Sequence, residues 1–175
     1  THPDENAWYS NNSPVFQWSS PSDPSGIAGY SYLIDQSSST IPDETVDTTD
    51  NSESYTGLAD GTWYFHVRAK DNAGDWGLPS HYRVNIDATS PTIIILTPTT
   101  PSPTYAKTPT IIYASYNYTE QHPKNATITI HNATHTIGQT TITTLASGTN
   151  INRNDSVTIT AVADGSYYVT VIIYD

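Results

Sequence analysis

The stretch DGTWYFHVRAKD at residues 60–71 is met again as DGSYYVTVIIYD at residues 164–175. The two align without a gap, with Asp60 on Asp164, Gly61 on Gly165, Trp63 on Tyr167, Val67 on Val171 and Asp71 on Asp175. Each joins an Asp-Gly turn to a run of alternating large residues, the pattern of a turn that launches a half-buried β-strand. One kind of β-unit therefore occurs twice in the 175 residues, at a size that suits two small domains better than one large one.

Working outward from the first copy, Trp63, Phe65, Val67 and Ala69 fall on one face of the strand, and Tyr64, His66, Arg68 and Lys70 on the other. The period of two places the first set inward. Upstream, Pro14–Trp18 and Gly29–Asp35 alternate in the same way, residues 36–53 are polar with little period, and Ser54–Thr56 resumes strand character. Downstream, the turn DNAGDWG leads to a strand at His81–Ile86. In the second copy strands are expected at Thr92–Thr97, Pro109–Tyr118, Ala126–His131, Thr134–Ile137, Thr141–Leu145, Ser156–Val162 and Ser166–Tyr174, with PTTPSPT as an extended crossover. No helical period is present, so the chain is expected to be all-β. The second unit holds no counterpart of His81–Ile86, and its last strand is expected to be missing. The edge of Ser166–Tyr174 would then be open, to be filled by a seventh strand from beyond Asp175, the simpler expectation, or by a strand that another subunit donates, with Thr1–Tyr9 a candidate donor.

Trp18, Pro21, Asp23, Ile27 and Tyr30, followed by Leu58-x-Asp60-Gly61-Thr62 and a long strand, resemble a fibronectin type III-like sandwich. The resemblance implies two tandem immunoglobulin-like β-sandwiches: residues 1–88 fibronectin type III-like, residues 89–175 immunoglobulin-like. It implies that Trp18 packs under the sheet of the third, sixth and seventh strands, and that Trp63 and Tyr167 open the sixth strand at a corner. The wording of the first half also resembles a repeat of large archaeal and bacterial cell-surface proteins, where such modules recur in tandem. The junction Asp87-Ala88-Thr89-Ser90-Pro91-Thr92 resembles their short connectors, stiffened by Pro91.

Composition narrows the function. There is no cysteine, which removes disulfides, thiol nucleophiles and thiolate zinc sites. Residues 1–88 carry thirteen acidic and three basic side chains, while residues 89–175 carry four and three. An acidic first half repels nucleic acid and anionic membrane. No apolar run approaches the length of a membrane span. Ser, His and Asp are plentiful without a local nucleophile motif, so no catalytic residues and no cofactor are expected.

Hard oxygen ligands favour calcium over other metals, with Asp60, Asp71, Asp75 and Asp87 as candidates, although Asp before Gly is equally explained by turn chemistry. His66 and His81 are expected to face each other across adjacent strands, whereas His131 and His135, four apart on a strand-turn, do not converge. Asn11, Asn117, Asn125, Asn132 and Asn154 each begin an Asn-x-Ser/Thr triplet, with Asn125, Asn132 and Asn154 expected at turns and strand ends. Tyr64, Tyr168 and Tyr174 are expected to point outward and Trp8 and Trp76 to sit near strand ends, where they could stack on surface glycans or meet neighbouring modules or subunits of the same protein. The function these features predict is a structural or adhesive tandem-repeat segment of a cell-surface or extracellular filament protein. The alternative is an accessory module, carbohydrate-binding or spacer, of a secreted polysaccharide-active enzyme.

Overall fold

The structure, a computed structural model, describes residues 1–97, 110–159 and 167–175. Every regular element among them is a strand. The chain divides into two compact units, Thr1–Thr89 and Ser90–Asp175. The Asp164-Gly165 turn and the PTTPSPT segment lie outside the described residues.

The first unit holds β1 (Trp8–Tyr9), β2 (Val15–Gln17), β3 (Ile27–Asp35), β4 (Ser52–Ser54), β5 (Gly61–Asp71) and β6 (Ser80–Ile86). Four of them form one sheet in the order β1-β6-β5-β3, and β2 and β4 form a second. Strand β5, the first copy of the repeated stretch, sits inside the larger sheet, antiparallel to β3 on one side and to β6 on the other. Its alternation drives the packing. Phe65 points inward and stacks on Phe16 of β2, ring centroids 4.4 Å apart and planes 5° from parallel. Trp18 lies 5.6 Å from Phe65 and 5.4 Å from Tyr30, so it reaches β5 and β3 from the opposite sheet. Val84 and Ile86 of β6 complete this core. At the start of β5 the Trp63 indole N–H donates to the Ala59 carbonyl at 2.9 Å, tying the strand to the turn that precedes it.

Residues 1–9 are not spare. The segment pairs in parallel with β6 through Trp8↔Asn85 and Tyr9↔Ile86. The Tyr82 hydroxyl donates to the His2 carbonyl at 2.7 Å, and Arg83 Nε donates to the Glu5 carbonyl at 2.9 Å. Thr1–Tyr9 is thus built into its own unit, which corrects its expected role as a donor strand.

The second unit holds β7 (Thr92–Thr97), β8 (Thr110–Glu120), β9 (Asn125–His131), β10 (Thr136–Ile142), β11 (Gly148–Ile159) and β12 (Tyr168–Tyr174). They form two three-stranded sheets, β11-β8-β7 and β10-β9-β12. Ala114, Tyr116 and Tyr118 of β8 and Val157 of β11 meet Ala126, Ile128 and Ile130 of β9 and Val171 and Ile173 of β12 in one core, so the two sheets lie face to face like the layers of a sandwich. Two expectations need correction. One strand, Thr136–Ile142, stands where two short ones were expected, and β11 begins at Gly148, well before Ser156. Strand β12, the second copy of the repeat, pairs with β9 alone among the described residues.

All four tryptophans, at 8, 18, 63 and 76, belong to the first unit, so tryptophan fluorescence reports on that unit only. Phe65→Ala removes a ring that is 3 % exposed and opens a cavity in a core with little else to fill it. It should destabilise the first unit by about 3–5 kcal/mol. Denaturant unfolding followed by tryptophan emission checks this, and a loss under about 1 kcal/mol would contradict the packing described.

Candidate functional site

Strand β5 carries its most unusual side chain on the face turned away from the core. His66 is expected to lie outward, yet it is fully buried. The cover is the segment after β3. Gly29 lets it approach, because a Cβ there would collide with Val46 and with the Thr48 carbonyl. Thr48 then pairs with Tyr30, the Tyr30 N–H donating to Thr48 O at 2.8 Å. Pro42 and Ser31 are buried in the same layer. Within it, His66 Nδ1 lies 2.6 Å from His81 Nδ1, the cross-strand pair expected from the register His66↔His81. His66 Nε2 lies 3.1 Å from Asp35 Oδ1. A carboxylate only accepts, so Nε2 of His66 carries a hydrogen and donates it to Asp35. The Thr40 hydroxyl donates to Asp35 Oδ2 at 2.6 Å. That bond, with smaller help from the Ser37 N–H and His66 and against some burial, holds the Asp35 carboxyl below the usual carboxylate range. The histidine pair is thus joined through His66 to Asp35, and through Asp35 to Thr40 and Ser37, in one structural network. Asp35 and Thr40 escaped the sequence analysis because nothing in residues 36–53 announces that they fold back over the sheet.

The four acidic candidates for calcium fall into two places. Asp71 Oδ1 accepts the N–H groups of Gly74 and Asp75, each at 2.8 Å, and so closes the turn after β5. Asp60 lies at the other end of β5, where its carboxylate accepts the Ala88 N–H at 2.7 Å and the Thr89 hydroxyl. Asp87 is next to that contact, and its N–H donates to the Tyr9 carbonyl at 3.0 Å. An eleven-residue strand separates the two places, about 33 Å at the usual rise. The structure does not bring the four together. Asp71 closes its own turn, in agreement with the turn-chemistry reading, whereas Asp60 holds the distant chain at Ala88–Thr89.

The triplet asparagines also divide. In the loop after β9, Asn132 Oδ1 accepts from the Thr134 N–H at 2.9 Å and the Thr134 hydroxyl at 3.1 Å, a turn that leaves its amide nitrogen to other partners. Asn11 makes a similar turn with the Ser13 N–H. Asn125 opens β9. Asn117 lies within β8 as expected, its Oδ1 accepting from Asn152 at 2.9 Å. Asn154, expected at a strand end, sits inside β11 and accepts from Ser115 Oγ at 3.1 Å, although its side chain stays exposed.

Of the outward aromatics, Tyr168 and Tyr174 are open, 52 % and 44 % exposed, and Trp8 is 36 % exposed. Tyr64 is half-buried and stacks on His66. Trp76 is half-buried too, with the Arg68 guanidinium 4.7 Å from its ring centre. His131 and His135 turn to separate partners, Thr170 and Thr134. A cleft of about 390 Å³ opens beside Thr1, β2 and β6, but its aromatic lining is the core itself, Phe16 and Phe65 with the half-buried Trp18 and Tyr82 packed against them.

The strongest charged network belongs to the second unit and was not foreseen. Arg153 and Asp155, two apart on β11, both turn inward and form a bidentate pair at 2.7 and 2.8 Å. The Tyr116 hydroxyl donates to the same carboxylate at 2.8 Å, and Arg153 Nη1 donates to the Thr144 carbonyl. Arg153 is the main cause that holds the Asp155 carboxyl below the usual range, with Tyr116 assisting and burial opposing. Burial first, then the bond to Asp155, pushes the Tyr116 hydroxyl far above its ordinary value.

No family model, no curated protein and no solved structure matches the chain.

The sign of the Asp155 effect follows from its depressed folded-state value. Its contribution is complete above the unfolded carboxylate value of about 3.9 and is lost as the pH falls through the folded value. Asp155→Asn should destabilise the second unit by about 1–3 kcal/mol at pH 7. The gap between variant and parent should close below pH ~4. Unfolding followed by tyrosine emission or far-ultraviolet dichroism across pH checks both, and a gap independent of pH would contradict the network.

Proposed function

We propose that this chain is a structural or adhesive segment of a cell-surface or extracellular filament protein, built of two immunoglobulin-like sandwiches in tandem, the first of fibronectin type III type. The observation that carries this reading is the repetition itself: one strand sequence is used twice, each time as part of its own compact β-unit. The first unit adds support in two details. Trp18 packs against β3 and β5, the strands that a fibronectin type III-like module would place over its tryptophan. Trp63 closes a corner at the start of β5 through Ala59. On this reading the work is mechanical. Loops are held by their own carboxylates and amides, and contacts with neighbouring modules or subunits are made by strand edges and by the open tyrosines of β12.

A second reading, an accessory module of a secreted polysaccharide-active enzyme, draws support from those same tyrosines. Tyr168 and Tyr174 stand on the outer side of β12 with their rings exposed, where a sugar ring could stack.

Protease shaving of intact source cells should release peptides of this chain into the medium. Recovery from the lysate alone would overturn the surface assignment. Insoluble polysaccharides, cellulose and chitin among them, should not retain the purified chain. Retention that is lost on Tyr168→Ala together with Tyr174→Ala would move the assignment to the accessory module.

A further inference from the structure

The two copies of the repeat differ in what surrounds them. Strand β5 is flanked on both sides, by β3 and by β6. Strand β12 is flanked by β9 alone, and no strand among the described residues takes the place that β6 takes beside β5. An edge strand presents a row of backbone donors and acceptors, and proteins commonly protect such edges with a charge, a proline or a bulge. Strand β12 has none of these. Its sequence from Tyr168 to Tyr174 is YVTVIIY, without a charged residue or proline. Its ladder with β9 runs from Tyr168↔His131 to Tyr174↔Asn125 without a register shift. Tyr168, Ile172 and Tyr174 are 52 %, 44 % and 44 % exposed.

The order of these seven residues identifies the occupant. Tyr-Val-Thr-Val-Ile-Ile-Tyr reads nearly the same in both directions about Val171. Two such strands run antiparallel through a two-fold axis at Val171 place Tyr168 opposite Tyr174, Val169 opposite Ile173 and Thr170 opposite Ile172. Paired residues then share a face: the apolar set that lines each core continues across the junction, and the tyrosines meet on the outer side. Aromatic and β-branched cross-strand pairs of this kind are favourable, and a two-fold contact of one patch with itself closes as a dimer.

We propose that β12 pairs with β12 of a second copy of this chain, joining two β10-β9-β12 sheets into one continuous six-stranded sheet. The pairing deepens the structural reading above by naming what one strand edge meets. Its test does not depend on cell surfaces or on carbohydrate.

Charge placed at the two tyrosine positions tests both the contact and its register, at exposed sites that leave each unit's core untouched. In the double variant Tyr168→Lys, Tyr174→Lys, the two-fold axis sets like charges opposite each other twice. In Tyr168→Lys, Tyr174→Glu it sets opposite charges there. Sedimentation equilibrium of the full 175-residue chain should show a dimer for the parent and for the Lys/Glu variant. The Lys/Lys variant should dissociate at least about tenfold more readily than the Lys/Glu variant. Far-ultraviolet dichroism confirms that all three are folded. A monomeric parent overturns the proposal, as does a dimer equally stable in both variants. A monomeric parent that takes up a synthetic peptide of residues 78–88 overturns it too, and shows that the edge accepts a strand like β6 in place of a second copy.

Discussion

The first unit depends on one ring. Its smaller sheet, β2 with β4, consists of two three-residue strands, too little to persist alone in water. What keeps it in place is the stack of Phe16 on Phe65. Tyr55, beside β4, and Trp18, beyond β2, also reach Phe65, at 6.3 and 5.6 Å. Tyr32 of β3 approaches the same ring from within the larger sheet, at 6.0 Å. A single side chain of β5 thus gathers aromatic groups from both layers. The apolar area buried at this point, more than any hydrogen-bonded pairing, holds the small sheet against the large one.

Around that core the acidic surplus of the first unit has a local explanation. Asp4, Asp23, Asp35 and Asp43 each accept the N–H two residues on, from Asn6, Ser25, Ser37 and Thr45. Asp47 reaches across to the Tyr32 N–H. Short polar side chains that imitate a backbone turn are the common way to satisfy loop amides where no strand partner is available. The same arrangement recurs with Asn11 and Asn132. The first unit, with long polar connections and a small second sheet, has more such amides to satisfy, and it carries most of the chain's carboxylates.

The sequence made some of this legible and hid the rest for identifiable reasons. The long strands β3, β5, β6 and β9 were visible because their inward residues are large and apolar at every second position. Strand β11 was not. Its inward residues include Arg153 and Asp155, a charged pair that satisfies itself within the sandwich and so erases the hydrophobic period. In β10 the two isoleucines, Ile137 and Ile142, are five apart, an odd spacing that the irregular register near Gly138 accommodates and that alternation alone cannot read. The burial of His66 was equally hidden. Its strand position is outward, and its neighbours there, His81, Tyr64 and Asp35, the last held by Thr40 from the segment after β3, could not be assembled from alternation alone. The calcium candidates could be proposed from sequence but not located, since the spacing along β5 that separates Asp60 from Asp71 becomes a distance only once the strand is known to be continuous.

The parallel pairing of Trp8–Tyr9 with Asn85–Ile86 has a bearing on how the protein is made. These partners are 77 residues apart in sequence. During vectorial synthesis the first nine residues leave the ribosome long before β6 exists. The hydroxyl of Tyr82 and the guanidinium of Arg83, which hold them at His2 and Glu5, arrive near the end of the unit. Loop-closure entropy must be met before such distant contacts return anything, so the first unit cannot close progressively from its beginning. Its leading segment waits as an unpaired strand, and the unit becomes complete in one late step, when the last of its own strands is delivered.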